Sequence, residues 1–126
     1  MDLTQKPTGG DSAPPEDLVA RSARIRLLND LLREGFPTGQ VVLTRGVASL
    51  PEALRILLML AVQHYADFSP ASDPFDEHDF GAVEFADERY FWKIDYYDND
   101  LNYGSPDPTD PDVTRRVLII MRANEY

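Results

Sequence analysis

The eight residues Tyr90 to Tyr97, YFWKIDYY, constrain this chain most. Side chains of an extended strand alternate between its two faces. Tyr90, Trp92, Ile94 and Tyr96 therefore share one face, and Phe91, Lys93, Asp95 and Tyr97 the other. Gly81 to Ala86 alternates more weakly, with Val83 and Phe85 together, and Asp87-Glu88-Arg89 supplies a turn between the two segments. The pair reads as a β-hairpin. Val117 to Met121, VLIIM, is apolar throughout, as a central strand should be. Val41 to Val47, β-branched and bounded by Gly39 and Gly46, reads as a fourth strand.

Two helices precede the hairpin. Asp11 or Ser12 can cap the first, which Pro14, Pro15 and Glu16 begin well. Leu18, Ile25, Leu28 and Leu32 recur along it at helical spacing, with Leu27 and Leu31 widening the stripe; Gly35 and Pro37 end it. Ser49 and Glu52 form a capping box for the second, which runs to about Tyr65. Its apolar residues from Ile56 to Val62 face nearly every side, which predicts a central buried helix. Helices followed by strands predict an α+β fold, with two helices packed on one face of a mostly antiparallel four-stranded sheet. Residues 1–14, rich in Pro, Gly, Ser and Thr, read as a flexible tail ahead of a single domain over residues 15–126.

A chain of 126 residues with 43% apolar content can bury a real core without staples. It has no cysteine, which excludes disulfides, thiolate metal sites and thiol nucleophiles. The first fifteen residues hold no apolar secretion signal, and the run Ile56 to Val62 is far shorter than the ~20 residues needed to span a bilayer. We expect a soluble cytoplasmic protein.

Charge is distributed unevenly. The net charge is −10, yet Asp67 to Asp112 contains 14 acids and only two bases, Arg89 and Lys93, for −12. Such a field repels nucleic acid and anionic membranes, and attracts basic protein surfaces.

Catalytic motifs are absent: there is no phosphate-binding loop, dinucleotide fingerprint or nucleophile elbow. Asp98, Asp100 and Asn102 match the start of a calcium loop, but Tyr103 stands where glycine is needed and Thr109 where a bidentate glutamate is needed. The loop is expected to be solvated, without a metal or cofactor. His78 lies among Asp76, Glu77 and Asp79, where an acid, base or ligand role is conceivable; fixing the loop by hydrogen bonds is the simpler reading. His64 reads as a packed or surface residue of the second helix. Lys93 and Asp95 share a face as an ion pair, and Phe91 occupies the place where a nuclease would carry an acid. The aromatic cluster around Trp92 lacks interleaved bases and reads as core.

The runs Asp73-Pro74, EHDFG (Glu77 to Gly81), WKIDYYD (Trp92 to Asp98), SPDPTDP (Ser105 to Pro111), RVLIIM (Arg116 to Met121) and the final Glu125-Tyr126 resemble a bacterial domain-of-unknown-function family. Ile25 to Asp30 and Leu43 to Val47 look like its opening segments, so the resemblance spans about residues 24–126. A small departure is Ile119-Ile120, where the family often has Thr before Ile. The resemblance implies a small cytoplasmic protein, often linked to mobile elements, with no established activity. It places any site around Glu77, His78, Asp79, Lys93, Asp95, Asp98, Asp107 and Asp110; the charge pattern adds Asp100.

Two classes of function follow. An acidic domain can occupy a partner whose basic surface normally grips nucleic acid, as anti-CRISPR and anti-restriction proteins do. This predicts a protein-binding inhibitor rather than an enzyme, with no catalytic residue. The alternatives are a metal-assisted enzyme using His78 with Asp79, Asp95 or Asp98, and a structural or regulatory subunit.

Overall fold

The computed structural model describes residues 16–126. The expected tail over 1–14, and the caps offered by Asp11 and Ser12, lie outside them. The described elements are α1 (Glu16–Arg33), β1 (Gln40–Leu43), α2 (Arg45–Ala48), α3 (Glu52–Gln63), β2 (Phe80–Phe85), β3 (Glu88–Tyr97) and β4 (Arg115–Arg122), with short 3-10 turns at Pro111–Val113 and Ala123–Glu125. The strands form one sheet in the order β1-β4-β3-β2. β2 and β3 pair antiparallel, as do β3 and β4, while β1 runs parallel to β4. This is the α+β fold expected, with the apolar β4 inside the sheet.

Strand parity decides where the core sits. Tyr90, Trp92 and Ile94 of β3, with Leu118 and Ile120 of β4, meet Leu32 of α1, Val47 of α2 and Leu58 and Val62 of α3. All the helices thus pack on the face that the alternation in YFWKIDYY marks as apolar. Trp92 is fully buried at its centre, where a large side chain contributes roughly 1.5–3 kcal/mol. Gly81 lies opposite Trp92 across the hairpin. A Cβ there would sit 2.4 Å from the indole nitrogen and 2.7 Å from the Tyr65 ring, so only glycine lets the ring lie flat. The other face carries Phe80, Phe91 and Tyr126 as a ring cluster, with centroids 5.3 to 6.0 Å apart.

Four local expectations are corrected. The strand begun at Val41 stops at Leu43 instead of reaching Val47. The Thr44 N–H makes the last bond to the Ile120 carbonyl, and the Thr44 carbonyl then accepts from Val47 and Ala48, turning the chain into α2. Ser49 is not the cap of the next helix: it ends α2, its hydroxyl donates to the Gly46 carbonyl, and Pro51 takes the cap position of α3 without a side-chain bond. α3 ends at Gln63 and is not central. Only Leu58 and Val62 are buried; Ile56 and Leu57 are each 51% exposed, because the helices form a single layer. The hairpin turn is Ala86-Asp87, both at positive φ (50° and 64°), so Glu88 and Arg89 already belong to β3. A two-residue turn of this hand matches strand twist.

The chain's end locks the edge. One oxygen of Glu125 accepts from the Thr44 hydroxyl (2.6 Å) and the Arg122 N–H (2.8 Å), and the other from the Gly46 N–H (2.8 Å). These bonds, the Thr44 bond foremost, hold its carboxyl below the usual glutamate value. Glu125→Ala should therefore cost about 1 kcal/mol, as loss of a cap does, in urea unfolding at neutral pH. Since the folded pKa is depressed, the stabilisation is present above the ordinary glutamate value and fades as pH falls through the folded one. The gap between native protein and variant should close in that acid window; a gap independent of pH would contradict the assignment.

Candidate functional site

The acidic segments of the chain are folded onto α1 by its polar residues. Asn29 lies between Ile25 and Leu32 on the buried stripe, is 0% exposed, and uses its whole amide. It donates to the Glu77 carbonyl (3.0 Å) and the Tyr96 hydroxyl (2.8 Å), and accepts from Arg116 Nε (2.8 Å). Tyr96 in turn donates to the Glu77 carboxylate at 2.9 Å. Burial drives the Tyr96 phenol far above its ordinary range, so it remains a donor. Arg116 is 4% exposed, lies 5.1 Å over the Tyr96 ring and donates to the Pro108 carbonyl. Desolvation lowers its pKa, opposed by the Glu77 carboxylate. One hub thus joins α1, β3, β4 and both long loops.

Around the hub, α1 pairs with acids. Arg26 binds Asp76 at 2.9 Å, Arg21 binds Asp107 at 3.2 Å, and Arg24 donates to the Thr109 carbonyl. Asp107 also accepts from the Thr109 hydroxyl and N–H, bonds that hold its carboxyl below the usual range. Asp30 bridges two side chains, binding buried Arg33 at 2.8 Å and His78 Nδ1 at 2.8 Å. His78 stacks on Phe68 with centroids 3.6 Å apart. Asp73 accepts from the Glu77 and His78 N–H groups, and Asp76 and His78 both take left-handed backbone angles (φ 55° and 56°).

The nine residues singled out in the sequence fall into separate places. Glu77 and His78 face α1. Asp79 is half-buried beside them; desolvation first, then Glu77 and Asp73, raise its pKa. Lys93 and Asp95 form their ion pair (3.2 Å) on the open face of the sheet, where Tyr97 also donates to Asp95. Asp107 is engaged with α1. Asp98, Asp100 and Asp110 lie on the loop between β3 and β4. This loop is tightly folded. Asp98 accepts from the Asn102 N–H, Asp110 from the Asp112 N–H, and Asn99 donates to the Asp112 carbonyl. Ser105 and Thr114 close its base at 2.7 Å. Among the described residues, the group placed to share an ion is Asp73, Asp76 and His78. His64, the other histidine, is exposed, with Nδ1 3.0 Å from the Leu60 carbonyl.

Asn29, Asp30, Asp73 and Arg116 were not singled out. Two carried a signal: Asn29 interrupts an apolar helical stripe, and Arg116 has the parity of Leu118 and Ile120 on the covered face.

Residues 43–125 match the model of a family described as Protein of unknown function (DUF3768). The match covers more than half of the chain, and the chain belongs to that family. No curated protein and no solved structure matches it. No helix among the described residues is long and apolar enough to cross a membrane.

Asn29→Ala should leave Arg116, Tyr96 and the Glu77 carbonyl short of partners in the interior. Each buried unsatisfied group costs about 1–3 kcal/mol, so we expect a loss of roughly 3 kcal/mol in urea unfolding. Asn99→Ala, in the exposed loop, should cost about 0.5–1 kcal/mol. Equal losses would mean that the hub does not hold the fold together.

Proposed function

We propose that this protein is a small acidic interaction protein that binds and blocks a partner through a basic, nucleic-acid-binding surface. The observation carrying this reading is the acidic loop between β3 and β4. Asp98, Asp100, Asp110 and Asp112 make no ion pair among the described residues, and the Asn99–Asp112 bond draws both halves of the loop together. The loop is pre-shaped by its own hydrogen bonds, which lowers the ordering cost of binding. Fixed carboxylates on a rigid loop can stand where a duplex presents phosphates. The outward apolar residues Ile56, Leu57 and Leu60 of α3 also suit a protein that is covered in a complex.

The narrowest form of the proposal is a block on a host defence complex, of the anti-CRISPR or anti-restriction type. The mobile-element character implied by the sequence resemblance favours it. The acidic surface is smaller than the sequence suggests, because Asp76, Glu84, Glu88, Asp95 and Asp107 have basic partners within the chain. We therefore assign recognition to the loop.

Purification of the tagged full chain from its host cells, at low and moderate salt, tests the proposal. A stoichiometric nucleic-acid-binding protein should be retained and then released by salt or by competing DNA, since exposed charges are screened beyond about 8 Å at physiological ionic strength. The variant D98N/D100N/D110N/D112N keeps the turn acceptors but removes the charge. It should weaken binding at least tenfold without shifting the unfolding midpoint, whereas Asp107→Asn should leave binding unchanged. Undiminished affinity in the fourfold variant, or no partner at either salt, would reject the proposal.

A further inference from the structure

The His78 imidazole is held in a way that the interaction reading does not use. Asp30 on α1 engages Nδ1 at 2.8 Å, and the flat stack on Phe68 fixes the ring plane. The opposite nitrogen, Nε2, points between two carboxylates: 3.6 Å from Asp76 Oδ1 and 4.0 Å from Asp73 Oδ2. Both separations are too long for a hydrogen bond.

They suit a bridging ion. Bonds of roughly 2.0–2.2 Å from a tetrahedral metal place its ligand atoms about 3.4 Å apart, and these three groups lie within 4.8 Å of one another. Each group also has capacity to spare. Asp76 uses Oδ2 for Arg26 and leaves Oδ1 facing His78. Asp73 accepts two N–H bonds and has two further lone-pair sites. The Asp30–His78 pairing is the arrangement in which a metal-binding imidazole is oriented by a carboxylate on its far nitrogen. Asp73 and Asp76 line a groove of about 340 Å³ with Phe68, Ser69, Pro70 and Pro74, which gives access from solvent.

We propose that Asp73, Asp76 and His78 Nε2 bind a first-row divalent transition cation, with Asp30 as the positioning residue and the remaining coordination positions open to water or an anionic ligand. One imidazole with two carboxylates favours ions of the Zn²⁺ or Co²⁺ type over Ca²⁺ or Mg²⁺, which take oxygen ligands.

The test is titration of the chelator-stripped full chain with Zn²⁺ by calorimetry, and with Co²⁺ by visible absorption. One equivalent should bind, with a rise in unfolding temperature. His78→Ala and Asp76→Asn, the latter on an exposed side chain, should abolish it. Asp30→Asn should weaken it roughly 10–100-fold, while His64→Ala should leave it unchanged. Circular dichroism shows that each variant is folded, and Asp76→Asn serves where His78→Ala is not. Absence of stoichiometric binding in the native chain, binding that survives Asp76→Asn, or loss on His64→Ala instead would each overturn the assignment. None of these outcomes depends on whether a basic partner binds the loop between β3 and β4.

Discussion

The joining of α1 to both long loops and to the ends of β3 and β4 depends on the side-chain amide of Asn29. The amide has two donors and one acceptor, and the fold uses all three. Each partner comes from a different part of the chain: the loop before β2, the end of β3 and the start of β4. A neutral amide suits the position because it meets a carbonyl, a phenol and a guanidinium at once. A carboxylate could not donate to the first, and an apolar side chain would satisfy none. The cost of burying Arg116 is offset here, by hydrogen bonds on both sides and an aromatic ring beneath it.

The hub changes how the charge map is to be understood. The sequence divides into a strongly acidic centre and a slightly basic remainder, which suggests one acidic surface. Folding brings the two together. α1 lays Arg21, Arg24 and Arg26 across the loops that carry Asp107, Thr109 and Asp76. Pairs at this exposure contribute little stability one by one. Their larger effect is on the charge map: they cancel charge along α1, while Asp98, Asp100, Asp110 and Asp112 on the loop between β3 and β4 stay without a basic partner among the described residues.

Period and parity made the sheet legible. Alternation in Tyr90 to Tyr97 assigned each side chain of β3 to the right face, and the unbroken apolar run placed β4 inside the sheet. Tertiary bonds spoiled the local readings. Val41 to Val47 has strand-like residues, but nothing local reveals that Glu125, far along the chain, will accept from Gly46 and turn the segment helical. Ser49 and Glu52 have capping-box spacing, yet Ser49 is already spent closing α2. The site was legible only in part. His78 stood out by composition, but Asp30, which binds its ring, lies 48 residues away and is brought there by the packing of α1.

The family match and the hub together bear on where the functional unit begins. The matched stretch, residues 43–125, contains the whole acidic segment, His78 and Arg116, but not α1. Within it, Arg116 Nε, the Glu77 carbonyl, the Asp76 carboxylate and His78 Nδ1 all face partners that only α1 supplies. Two neighbouring residues, Asn29 and Asp30, serve both ends of this arrangement: one fixes the loops, and the other fixes the imidazole. A shift of α1 along its axis would disturb both together. The helix outside the match therefore supplies bonding partners to the matched stretch, and through Asp30 it sets the geometry at His78.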